Sequence, residues 1–115
     1  MVTALVVLPL FYNPDELGQR RPVEREKFNK TLREVGRKFG GGAFHGYPQI
    51  GIWASHGIIY EEEVGVLEVD IPDTEQDRTR LVEYAKRVLL QRFDQEAIYI
   101  KFVPFVEVRV VQARR

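Results

Sequence analysis

Along residues 3–12 both alternating sets of side chains are apolar, Leu5, Val7 and Phe11 on one side and Ala4, Val6, Leu8 and Leu10 on the other. A strand apolar on both sides is expected at the centre of a sheet, with both of its faces covered. A polar loop follows over residues 13–22. Phe28, Leu32, Val35 and Phe39 then recur at spacings of 4, 3 and 4, one stripe of an amphipathic helix over residues 23–39. Glu24 and Glu26 in its first turn and Arg37 and Lys38 in its last suit the helix dipole. Gly40 stands where a left-handed cap residue belongs.

Residues 43–53 and 58–71 read as two strands joined by the turn Ser55-His56-Gly57. In the second strand Leu67, Val69 and Ile71 alternate with Glu68 and Asp70, the pattern of a half-buried strand. Pro72 ends it. Asp73 with Gln76, or Thr74 with Asp77, supplies the N-cap of a second helix carrying Leu81, Ala85 and Val88 inward as far as about Arg92. Ile98, Ile100, Phe102, Val106, Val108 and Val110 then keep one parity through Pro104. They form either one long bent strand or a strand followed by an edge strand, because proline cannot donate to a central ladder.

The order β-α-β-β-α-β, with a further C-terminal edge strand as the open question, predicts an α+β fold. Right-handed crossovers put both helices on one face of a four-stranded antiparallel sheet, the ferredoxin-like sandwich, here expected with the first and last strands central. Residues 1–115 are then a single domain, a length sufficient to bury roughly two-thirds of the unfolded surface. The two helices cover only one sheet face, yet the first strand is apolar on both. A second copy of the chain is the simplest cover for the other face, so a homodimer or higher oligomer is expected.

Composition narrows the function mainly by exclusion. The chain has no cysteine, which removes disulfides, thiolate nucleophiles and thiolate metal sites. No run approaches the length of a membrane span, and the apolar start lacks a basic leader region; a cytoplasmic protein that does not insert in membranes is the expectation. Formal net charge is zero, but it is segregated. Residues 20–38 hold eight basic and three acidic side chains, and residues 61–77 hold eight acidic and no basic ones. Blocks of opposite sign suit self-association better than nucleic-acid binding. Lys30, Arg33 and Arg37 on the first helix keep nucleic-acid or nucleotide binding as a second alternative.

Seven of the nine glycines lie between Gly36 and Gly57, and that stretch also holds both histidines and the only tryptophan. Gly40-Gly41-Gly42 follows a helix and precedes a strand, opposite to a phosphate loop, so it reads as cap and turn. His45 and His56 are the candidate acid/base residues, with Glu61 as a third. Their eleven-residue separation would hold the two imidazoles apart along a hairpin. Glu61-Glu62-Glu63 places at most Glu61 and Glu63 on one side of a strand, short of a hard-cation site; no metal and no cofactor is expected. Tyr47, Trp53, His56 and Tyr60 gather on the hairpin with no Lys or Arg among residues 43–60. They form a candidate ligand surface without the basic partners that stacked nucleic-acid bases require. Arg92, at the end of the second helix, is a further candidate ligand contact. A small homo-oligomeric binding or assembly domain follows, with a small enzyme using His45 or His56 at the glycine-rich hairpin as its alternative.

Overall fold

The computed structural model describes residues 1–113, apart from the side chains of Trp53 and Ser55. Strand β1 (Val2–Pro9) leads to helix α1 (Arg25–Phe39), followed by the hairpin β2 (Ala43–Ser55) and β3 (Ile58–Ile71). Helix α2 (Glu75–Tyr84) runs on through a π turn, Ala85–Leu89, into the short α3 (Leu90–Arg92), and β4 (Ile100–Val103) completes the sheet. The strands are all antiparallel in the order β2-β3-β1-β4. This is the ferredoxin-like α+β arrangement.

Two expectations about strand placement need correcting. The central strands are β1 and β3, not the first and last, and β4 is an edge. The tight turn after β2 obliges β3 to pair with it, and the α1 crossover leaves the slot beside β1 open for β3. The apolar run after Pro104 forms no strand among the described residues. Pro104 has no N–H to donate, and Phe105 turns the chain with φ +61°. Beyond β4, among the described residues, the tail is tied back by one backbone bond, from the Val106 N–H to the Met1 carbonyl at 3.1 Å.

The core lies between sheet and helices. Val2, Ala4, Val6 and Leu8 of β1 and Leu67, Val69 and Ile71 of β3 project into it, against Val35, Leu81, Ala85, Leu89 and Phe93. Helix α1 begins at Arg25, two residues later than expected, with Glu24 as its extended N-cap and Glu26 in its first turn. The cap expected at its other end is present, where Gly40 has φ +88° and donates to the Gly36 carbonyl. Thr74 caps α2, accepting from the Asp77 N–H at 3.0 Å. Phe44 of β2 ties the hairpin to the helices. Its ring stacks on Phe28 at 4.7 Å, Phe28 meets Phe93 at 5.2 Å, and the ring lies over Gly65 of β3, where a Cβ would come within 2.5 Å of it.

Candidate functional site

The hairpin outgrows the sheet. β1 pairs with β3 only over residues 64–71, whereas β2 pairs with β3 down to Ser55 opposite Ile58. The distal residues 49–63 therefore project as a two-stranded arm. The molecule is 58 Å long with a radius of gyration of 15.6 Å, against about 13 Å for a compact chain of this length. His56 at φ +52° and Gly57 at φ +78° make the tip, a two-residue turn whose positive φ values match the strand twist. Near the arm's base the register jumps from His45 opposite Val66 to Gln49 opposite Val64. Gly46, Tyr47 and Pro48 thus face the single residue Gly65. A bulge on an edge strand accommodates Pro48 and throws Tyr47 outward, where it is 86% exposed.

The arm buries little of its apolar surface. Ile50, Ile52, Ile58 and Ile59 are exposed, and Tyr60 is 41% exposed. The register sets Ile50 opposite Glu63, Ile52 opposite Glu61 and Trp53 opposite Tyr60. Glu61 and Glu63 thus share a side with the two isoleucines, as strand periodicity requires. At the arm's base Phe11, Arg20, Ile50, Glu61, Glu62 and Glu63 line an open cleft of about 370 Å³. Phe11 and Arg20 come from the loop after β1, and only the glutamate run signalled this cleft in the sequence.

The sheet face opposite the helices is uncovered. Leu5, Val7 and Val66 lie there half-buried, Val103 is exposed, and the Thr3 hydroxyl donates to Asp70 across the β1–β3 pair. His45 is on this face, its Nε2 4.0 Å from Glu68 Oε1, with both side chains about half exposed. It lies at the base of the arm and His56 at the tip, roughly 30 Å apart at the rise of a strand. The two imidazoles are not brought together, and Glu61 is five residues up β3 from the partner of His45.

Arg92 belongs to the helical layer and not to the hairpin. Its guanidinium donates to Thr31 Oγ1 and to Glu34 Oε2, both at 2.9 Å, and Tyr84 donates its hydroxyl to Glu34 Oε1 at 2.7 Å. The Arg92 hydrogen bond, joined by that from Tyr84, holds the Glu34 carboxyl below the usual carboxylate range. Burial, then the bond to Glu34, pushes the Tyr84 phenol up. Such a paired cation locks α1 to the second helix and leaves little capacity for a ligand. Tyr47, His56 and Tyr60 do share the hairpin; the Trp53 side chain, the fourth member of that candidate surface, lies outside the described residues. Among the described residues no group of three or more His, Asp or Glu side chains could hold a metal ion.

The comparisons agree on the fold. A divalent cation tolerance protein (Cut A1) from Thermus thermophilus superimposes with a TM-score of 0.64 over 95% of this chain and 88% of that one, at 13% identity. A phage SAM lyase in complex with S-methyl-5'-thioadenosine gives 0.59 over 88% of this chain and 78% of that one, at 17% identity. The apo form of a phage SAM lyase gives 0.57 at 18% identity. No protein-family model and no curated protein matches the sequence. The chain is thus similar in fold to proteins with quite different names, and a shared fold does not select among functions. Among the described residues no helix is long and apolar enough to cross a membrane.

Proposed function

We propose that this domain is a homo-oligomeric binding or assembly module of the cytoplasm whose copies associate through the arm and the open sheet face. One observation carries it: the arm holds Ile50, Ile52, Ile58, Ile59 and Tyr47 at exposures of 54–86%. A free two-stranded ribbon is marginally stable in water, and contiguous exposed apolar surface marks an interface. Strand parity divides that surface: Ile58 and Tyr60 are on the open side with half-buried Leu5, Val7 and Val66, and Ile50, Ile52 and Ile59 are on the other side of the arm. Tyr47, Trp53, His56 and Tyr60 are the residues through which the arm would bind a ligand or partner. Sedimentation equilibrium at tens of micromolar tests the assembly: the chain should sediment as a dimer or larger, and Ile52→Lys should weaken association while leaving the circular dichroism spectrum unchanged. A monomer at that concentration refutes it. Native mass spectrometry of the purified chain would reveal any retained ligand.

An acid/base role for His45 is the second proposal, favoured by its approach to Glu68 on the open face. Glu68 would orient the imidazole, and both groups meet solvent. Imidazole resonances of His45 that are unchanged by Glu68→Gln, followed by NMR, remove that role. Nucleic-acid binding through α1 is less supported, because Arg33 is already engaged by Glu26 at 2.6 Å.

A further inference from the structure

We propose that residues 105–111 add as a fifth strand to the free edge of β2 in a second copy of the chain; this rests on the self-association proposed above and specifies how it occurs. The segment has the pattern of a strand, yet among the described residues it pairs with no strand, its one backbone tie being the Val106 N–H to the Met1 carbonyl. Val106, Val108 and Val110 alternate with Glu107 and Arg109, yet Val108, Val110 and Val111 are 43%, 79% and 94% exposed. Phe105 is 95% exposed and holds a left-handed φ of +61°, a conformation costly for a bulky side chain. A strained aromatic presented to solvent just ahead of a strand-like run is a ready anchor for an interface.

The complementary surface is at the other end of the same sheet. In the order β2-β3-β1-β4 the outer edge of β2, interrupted by its bulge at residues 46–48, has no neighbour among the described residues. Its unpaired N–H and C=O groups are a template for another strand. The tail emerges beside β4, three inter-strand spacings or about 14 Å from that edge, so the acceptor it meets is on another molecule. Charge agrees in sign. After Ala97 the chain has Lys101, Arg109, Arg114 and Arg115 against the single Glu107, whereas residues 43–71 have five acidic side chains and no Lys or Arg. No described ion pair engages Glu61, Glu62 or Glu63. Ile50 and Ile52 on the arm would continue the apolar row of the tail valines, matching the two-residue period of both strands. Each copy donates one tail and accepts one, so all copies are equivalent, and the assembly is closed when the exchange is reciprocal or the rotation between copies completes a ring.

A proline scan of the full chain tests the pairing. In an edge strand only alternate N–H groups point to the neighbour. Proline at positions 107 to 110, one at a time, should therefore raise the dissociation constant at two alternate positions, on the order of tenfold or more, and change it far less at the other two. Because the chain has no cysteine, a second measurement is independent of proline. Chains with Val108→Cys, mixed with chains carrying Ile50→Cys, Ile52→Cys or Ala54→Cys, should form a mixed disulfide with one partner set. An oligomer that is insensitive to the scan and forms no mixed disulfide overturns strand addition and leaves self-association standing. Losses of equal size at all four positions, again without a mixed disulfide, also overturn it. A monomeric full chain overturns both.

Discussion

Tyr84 and Arg92, on the second helix, bond to the two oxygens of the same carboxylate, Glu34 of α1. At about 100° per residue a regular α-helix would leave positions eight apart roughly 80° out of line. The π turn at Ala85–Leu89 takes up about one residue and returns them to one face. Leu81, Ala85, Leu89 and Phe93, all buried at intervals of four, follow the same widened turn. A single irregular turn thus serves both the core and the polar clamp between the helices.

Breaking the clamp should be costly. Arg92→Ala would leave Glu34 with one donor in place of two and take from the Thr31 oxygen the hydrogen bond it accepts, although that hydroxyl still donates to the Lys27 carbonyl, and it removes the packing of an arginine stem that is only 11% exposed. A loss of about 2–3 kcal/mol is expected, read as a shift of the urea midpoint at unchanged slope. Arg92→Lys should recover part of it, having the charge without the fork.

The same clamp should make stability pH-dependent at both ends. The carboxyl of Glu34 is lowered on folding, so its contribution is complete above the unfolded carboxylate value of about 4.3 and is lost as pH falls through the folded one. The phenol of Tyr84 is raised, so its contribution is complete below about 10 and is lost as pH rises beyond that. Glu24, lowered first by the Tyr12 hydroxyl, adds to the acid limb. Thermal melts from pH 2 to 11 should show both declines. Tyr84→Phe should flatten the alkaline one, and Glu34→Gln should reduce without abolishing the acid one.

Gly65 should tolerate no side chain. A Cβ there would fall 2.5 Å from Phe44 Cζ and 3.0 Å from the His45 carbonyl, and the ring is held by Phe28. Gly65→Ala is expected to cost about 1–3 kcal/mol. Phe44→Leu in the same chain should return part of that loss, a non-additivity visible in a double-mutant cycle.

The tip of the arm gives a cleaner backbone test. Nothing lies within 4 Å of a Cβ at Gly57, whose φ is +78°, so Gly57→Val acts through conformation alone. It should destabilise the turn by about 1–2 kcal/mol. Hydrogen exchange should show faster opening of residues 49–63 and little change in β1, whose ladder does not depend on the tip.

Local rules settled much of this chain. The 4, 3, 4 stripe from Phe28 to Phe39, the cap at Gly40, the Thr74–Asp77 cap, the Ser55-His56-Gly57 turn and the alternation of Leu67, Val69 and Ile71 are all short-range signals, and the elements form within two residues of where they indicate, β2 running on to Ser55 and α1 starting at Arg25. The order of those elements sufficed for the fold class. Which strands are central did not follow, because pairing is a long-range choice: only packing decides that β3 enters between β2 and β1. Periodicity of the run after Pro104 could not show that its partners are missing, since a strand pattern is the same whether or not an edge is available. The role of Arg92 was hidden for a similar reason. Its partners, Glu34 and Thr31, are about sixty residues away in sequence, and a π turn that no short-range cap or turn signal announces brings Tyr84 into line with it. Sequence by itself determined where backbone bends and which faces are apolar; tertiary structure alone decided which of those faces are covered, because burial depends on residues far apart along the chain.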